Sequence, residues 1–256
     1  MPETFPLALV TGAAHRLGKA FALCLARQGY AIALHYHRAA DEAEATVSEI
    51  RALGVPAFPL QADLTRPQEI EALFEKIDRL CGPAAGHPPM DERSALASLS
   101  VLVNSAAIMP RGNVQTLSAA DFDAAIALNL RAPFLCAQQA ARRMNPGGLI
   151  VNISDIGAAK AWSRFPAYTV SKAGLESLTK ILARALAPQL RVNAIAPGLA
   201  LQAQDMPDAE WQRLVSRLPL KRPALLAELT TALEFLLKNE YITGQTLAID
   251  GGYSLV

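Results

Sequence analysis

Short apolar runs alternate with longer amphipathic segments from one end of this chain to the other, and that alternation leaves few folds open. The runs Leu7–Val10, Ala31–Tyr36, Pro56–Leu60, Val101–Val103, Leu149–Ile153, Val192–Ala196 and Thr246–Ile249 are each short enough for a buried strand. Between them, Leu17–Gln28, Ala40–Leu53, Pro67–Leu80, Ala119–Met144, Ala167–Leu186 and Leu225–Lys238 carry apolar residues three and four apart, the period of a helix with one buried face. Strict alternation of this kind predicts an α/β fold. A single doubly wound Rossmann domain is expected over residues 1–256, its seven parallel strands joined by right-handed crossovers and covered by helices on both faces. Ligands bind such sheets at the carboxyl ends of the strands, so site residues are expected just after each run.

Composition supports one core. The chain has 256 residues, 52% of them hydrophobic and 18% charged, enough for a single large interior. Its net charge of +1, with no run of lysines or arginines, argues against nucleic acid or an anionic membrane as partner. Cys24, Cys81 and Cys136 show no metal-ligand spacing, and two of them fall in predicted helices as small apolar fillers. No metal is expected. The N-terminus, Met1-Pro-Glu-Thr-Phe-Pro6, lacks a basic stretch followed by an apolar one, and no apolar run approaches spanning length, so a cytoplasmic protein is expected. The one compositional shift, Cys81–Ser100, is rich in Pro, Gly, Ala and Ser and reads as a surface insertion before the fourth strand.

The first strand end is Thr11-Gly12-Ala13-Ala14-His15-Arg16-Leu17-Gly18, which opens a helix. Glycine at a helix N-terminus lets backbone N–H groups approach a phosphate, which the helix dipole also favours. With only Gly12 and Gly18 the spacing departs from Gly-x-Gly-x-x-Gly, and a plain tight turn is the competing reading; position in the first βα unit favours a dinucleotide. The second strand ends in His35-Tyr36-His37-Arg38 and offers no carboxylate for a ribose 2′-hydroxyl. Arg38, with His15 and Arg16 nearby, instead suits a 2′-phosphate, which makes NADPH the expected cofactor. The competing reading is that these bases only solvate the helix start. After the third strand, Asp63-Leu64 can either meet the adenine amino group or cap the next helix.

Further along, Tyr168 and Lys172 stand one helical turn apart, with Asp155 thirteen positions before the tyrosine at the end of an apolar strand. Residues i and i+4 face the same way, so the ammonium can lie beside the phenol and hold its pKa down, making Tyr168 a general acid or base near neutrality. Taken alone, the pair also reads as a tyrosine closing a core beside a solvated lysine.

Together Thr11-Gly12, Arg16, Gly18, Asp63, Asn104-Ser105-Ala106-Ala107, Asn129, Tyr168-x-x-x-Lys172, Pro197-Gly198, Thr243-Gly244 and Asp250-Gly251-Gly252 resemble the short-chain dehydrogenase/reductase family along the whole chain. Arg16, the string His35-Tyr-His-Arg38 and aspartate at 155 are similar to the pteridine reductases within it, as are the tail Pro197-Gly-Leu, Asp205-Met206-Pro207 and Trp211 and the ending Asp250-Gly-Gly-Tyr-Ser-Leu255.

The resemblance implies hydride transfer from NADPH to a dihydropterin or dihydrofolate-type substrate, with Tyr168 giving a proton to the ring nitrogen. Lys172 is then expected on the nicotinamide ribose and Asn129 in an opened helix. Asp155 is expected to orient Tyr168, or, on the plainer reading, to cap a turn. Arg16 is expected to touch both phosphate and substrate, or phosphate alone. Gly12, His15, Arg16, Leu17, Gly18, His37, Arg38, Asp63, Leu64, Asn104, Ala106, Tyr168, Pro197 and Gly198 complete the expected cofactor contacts.

Two positions depart from that subgroup: Met109 and Ala107 stand where a stacking phenylalanine and a serine are expected, so Met109 is the candidate substrate contact. A general ketone, quinone or 3-oxoacyl reductase, using Ser154 or Asp155 in the role of the family's serine, is the alternative. A non-catalytic NADP(H)-binding sensor is a third, against which Asn129, Tyr168 and Lys172 count. The segment 199–219 is expected to cover the site, with Leu201, Met206 and Trp211 either facing it or packed in the core. Family members pair their long helices, so a homotetramer is expected.

Overall fold

The computed structural model describes residues 4–81, 96–203 and 206–256. The middle of the expected insertion, 82–95, and Asp205 of the expected covering segment lie outside them. The strands are β1 Phe5–Val10, β2 Ala31–Tyr36, β3 Ala57–Gln61, β4 Leu96–Asn104, β5 Gly148–Ile153, β6 Leu190–Pro197 and β7 Thr246–Ile249. All pair in parallel, in the order β3-β2-β1-β4-β5-β6-β7. The order reverses between β1 and β4, where adjacent loops must leave in opposite directions and open a crevice.

The helices are α1 Arg16–Arg27, α2 Ala40–Ala52, α3 Pro67–Leu80, α4 Ala119–Ile126, α5 Ala132–Ala141, α6 Gly157–Lys160, α7 Pro166–Leu186, α8 Asp208–Arg217 and α9 Leu226–Lys238. Alternate strand residues feed two cores. Ala8, Val10, Ile32, Leu34, Val103 and Val151 meet α1, α2 and α9, whereas Leu7, Leu9, Ala33, Leu102 and Ile150 meet α3, α5 and α7. Each fully buried leucine or isoleucine contributes roughly 1.5–3 kcal/mol, so both faces are anchored before any polar group is counted. Cys24 and Cys136 are buried in these layers as expected.

Three differences from the sequence reading have physical causes. β4 starts at Leu96, inside the expected insertion 81–100, because Leu96 and Leu99 pair with Phe5 and Leu7 across a register shift that breaks the two-residue alternation. The helix expected over Ala119–Met144 is divided: Ala127–Arg131 forms a wider π turn and the last segment stops at Ala141. Pro133 lacks the N–H that would close the regular bond to the Asn129 carbonyl. The covering segment is not all loop, since α8 places Trp211, Leu214 and Val215 at helical spacing, with Val215 buried and Leu218 buried just past the helix end. Among the described residues, no helix is long and apolar enough to cross a membrane.

Candidate active site

The glycine turn sits at the β1/β4 crevice. Gly12 has φ +63°, and a Cβ there would stand 2.8 Å from Ala106 Cα, while a Cβ on Gly18 would land on the Gly12 carbonyl oxygen. Only glycine lets the two strand ends and the start of α1 close this tightly. Thr11 Oγ1 accepts from the N–H groups of Ser105 and Ala106 at 2.9 and 3.1 Å, tying the β4 loop to the β1 loop.

His35, read in the sequence only as part of the string that ends the second strand, fixes the turn from behind. Gly12 N–H donates to His35 Nδ1 at 3.1 Å, and His35 Nε2 lies 3.0 Å from the Ala62 carbonyl. A backbone N–H can only donate, so Nδ1 is the acceptor and Nε2 carries the hydrogen. Burial pushes the His35 pKa down to about 4, which keeps the ring in this neutral tautomer. Its signal in the sequence was a histidine at an inward position of an otherwise apolar strand.

The basic residues lie around this turn. His15 caps α1 without a side-chain bond and is exposed, and His37 and Arg38 are exposed past β2. Arg16, at φ +54°, reaches across to donate to the Leu201 and Gln202 carbonyls at 3.2 and 3.3 Å, so it already bridges the cleft to the covering segment. Leu17 packs on the core and Leu64 is buried. Asp63 Oδ1 accepts from the N–H and hydroxyl of Thr65 at 3.0 and 2.7 Å, a turn ahead of α3 whose N-cap is Arg66.

Across the crevice, β5 delivers Ser154 and Asp155 and α7 delivers Tyr168 and Lys172. Pro166 starts α7 at the position where its missing N–H costs nothing. The Tyr168 hydroxyl donates to Asp155 Oδ2 at 2.8 Å, and Asp155 Oδ1 accepts from Gly157 N–H at 2.7 Å. Lys172 Nζ donates to the Ile153 carbonyl at 2.6 Å and lies 5.6 Å from the centre of the Tyr168 ring. Ser154 faces away: its hydroxyl donates to Glu176 at 3.0 Å. Of the two, Asp155 is the one that meets the Tyr168 hydroxyl.

The π turn aims Asn129 into the same region. Its amide exchanges bonds with the backbone of Ile108 at 2.8 and 2.9 Å and donates to Ser171 Oγ at 3.0 Å. The loop after β4 is thereby pinned to α7. Asn104, expected on the cofactor, sends its side chain inward to Asn152 at 2.9 Å, which in turn donates to Thr179. Gly198 is required by packing, since a Cβ would stand 2.7 Å from Asp250 Cα, and Pro197 is buried at the end of β6. Met109 is 42% exposed on the β4 loop, beside exposed Ala107 and Ile108.

The electrostatics correct one expectation. Lys172 was expected to hold the Tyr168 pKa down, but burial, followed by the Asp155 charge and hydrogen bond, holds it well above its ordinary value. Burial also raises Asp155, against the hydrogen bonds from Gly157 and Tyr168 and the attraction of Lys172. The Lys172 pKa falls to about 8, again through burial. Burial and the neighbouring carboxylate thus both favour the protonated phenol.

Known proteins resemble this chain along its length. A short chain dehydrogenase family profile matches residues 6–86, and an enoyl-(acyl carrier protein) reductase profile matches residues 90–254. The 1-cyclohexenylcarbonyl-CoA reductase of Streptomyces collinus is 33% identical over 98% of this chain and 87% of its own length. The 3-oxoacyl-(acyl-carrier-protein) reductase FabG of Staphylococcus aureus is 34% identical over 96% of each chain. FolM alternative dihydrofolate reductase 1 of Brucella canis, solved with NADP, shares 35% identity at a TM-score of 0.86, covering 98% of this chain and 94% of that one. Fold, crevice and comparisons define an oxidoreductase on a Rossmann sheet. The chain belongs to the short-chain dehydrogenase/reductase family, and within it to the reductases.

Proposed function

We propose that this protein is an NADPH-dependent pteridine reductase, acting on a dihydropterin or dihydrofolate-type substrate. The observation that carries the reading is the 2.8 Å bond from Tyr168 to Asp155, with Ser154 turned to Glu176. A carboxyl at this place can take up and pass on a proton, which a hydroxyl does far less readily near neutrality. Similarity to FolM supports the same substrate class.

NADP(H) is the cofactor, and the glycine turn fits it: Gly12 and Gly18 let β1, the β4 loop and the start of α1 close where a Cβ would strike Ala106 or the Gly12 carbonyl, which sets a helix N-terminus at the crevice for a phosphate. Arg16 and Arg38 supply the positive rim for its phosphates, with His37 beside them, and the neutral His35 keeps the turn in shape. Bound there, the cofactor supplies the hydride. Tyr168 Oη gives the proton to the substrate nitrogen, and Asp155, in its protonated form, returns one to the phenol, while Lys172 places a positive charge beside the reacting groups. Asn129 holds the β4 loop, and with it Met109, against the site. Met109 is the proposed substrate contact, and Arg16 reaches both cofactor and substrate.

A carbonyl reductase is the second reading, favoured by the similarity to FabG and by methionine at 109. Dihydrobiopterin, dihydrofolate and a panel of ketones and 3-oxoacyl thioesters, each assayed with NADPH, separate the two. Turnover confined to the carbonyl compounds refutes the pterin reading. We further propose a cytoplasmic homotetramer, supported by the exposed Phe122, Phe134, Val170 and Ile181 on α4, α5 and α7; a monomer in light scattering contradicts it.

A further inference from the structure

The turn between α6 and α7 carries an aromatic side chain that the expected site did not include. Ala161, at φ 49°, ends α6 in the left-handed conformation and folds Trp162 back over Gly157. A methyl group on Gly157 would stand 2.7 Å from Trp162 Cε3 and 3.0 Å from Asp155 Oδ1. Indole and carboxyl therefore flank one point, and only glycine leaves room for both. Phe165 meets the indole edge-on at 6.5 Å and Tyr253 lies tilted to it at 6.2 Å, so the ring is held from two further sides.

We propose that Trp162 is a positioning residue for Asp155, its indole walling water away from the carboxyl so that this group can carry a proton beside Tyr168. The inference rests on the proposed role of Asp155. The arrangement resembles a carboxylic acid set against an indole, the general way to make an acid work near neutrality. The groups that face Asp155 are Tyr168, Lys172 and Glu176 from α7 and Tyr253 from the C-terminal turn. Tyr253 lies 4.8 Å below the Lys160 ammonium of α6 and within reach of the Arg217 charge of α8. The charge of Lys172 and the bonds from Gly157 and Tyr168 favour the carboxylate, and burial outweighs them. Opening the wall removes part of that burial. Asp155 then releases its proton at lower pH, and the alkaline limb of turnover moves acidward with it.

The test begins without cofactor or substrate. Trp162 and Trp211 are the two tryptophans of the chain, so in a Trp211→Phe background indole fluorescence reports on Trp162 alone. A pH titration is expected to show an inflection above the ordinary carboxylate range that disappears in Asp155→Asn. No such inflection means that the indole does not sense the carboxyl, and the proposal falls. Carboxyl carbon NMR then follows Asp155 directly: Trp162→Ala is expected to lower its midpoint by about one pH unit, and Trp162→Phe, which keeps an apolar wall, by less than half as much. Equal midpoints in wild type and Trp162→Ala overturn the proposal. With NADPH and a dihydropterin, the alkaline limb of kcat/KM should shift by the same amount in the same order; a limb that stays put in Trp162→Ala also overturns it. Unchanged turnover in Asp155→Asn would instead refute the role given to Asp155, while the titrations still judge the wall by themselves.

Discussion

Lys172 carries a buried charge that the fold must bear for the sake of the chemistry, and its cost can be measured. Burial lowers its pKa from 10.5 to about 8, which corresponds to about 3 kcal/mol of destabilisation at neutral pH. The folded pKa lies below the unfolded one, so stability is greatest above pH 10.5 and falls as pH drops through 8. Lys172→Met removes the charge and keeps much of the volume. It also leaves the Ile153 carbonyl without its donor, a loss of about 1–3 kcal/mol. These terms nearly cancel at pH 7, so a single melting temperature decides nothing. The pH dependence does. Urea denaturation of both proteins at fixed concentration between pH 7 and 10.5 should show wild type gaining about 3 kcal/mol on Lys172→Met. A flat difference across that range means Lys172 titrates like a surface lysine, and the reasoning about its burial is wrong. Turnover should fall in the variant by two orders of magnitude or more.

Further outcomes follow from the same geometry. Gly18→Ala should abolish NADPH binding in a fluorescence titration, because its Cβ collides with the Gly12 carbonyl; wild-type affinity contradicts the role of the turn. His35→Phe strands the Gly12 N–H and the Ala62 carbonyl and should lower Tm by at least about 4 °C. The wild-type His35 pKa, depressed to about 4, should also cost the protein stability as pH falls from 6.5 to 4, a loss absent in the variant. Ser154→Ala should keep kcat within about twofold while Asp155→Asn lowers it about a hundredfold; the reverse order would return the role to Ser154.

Much of this architecture was legible in the sequence because buried parallel strands have a simple signature. The bounds of β2, β7 and α3 coincide with the apolar runs and periodic segment read from the residues alone. β4 was truncated in that reading because Ala97, Ser98 and Ser100 have loop-like composition and the register shift hides the alternation. α8 was hidden by the length and polarity of the segment around it. In the site, Asp155, Tyr168 and Lys172 were found by spacing and Asn129 through the family resemblance, and the structure gathers them. Spacing gives which groups meet but not which field dominates, so the direction of the Tyr168 shift was misread. The roles of His35 and Trp162 escaped because they depend on tertiary packing: one acts on the back of a turn, the other across a glycine. Asn104 kept the expected position, but its amide is spent on Asn152.

The account turns on Tyr168 as the proton donor, and Tyr168→Phe tests it most directly. The variant should bind NADPH with wild-type affinity, since only a hydroxyl is removed, and should reduce a dihydropterin at least about a hundredfold more slowly. Turnover at the wild-type rate with intact NADPH binding would contradict it.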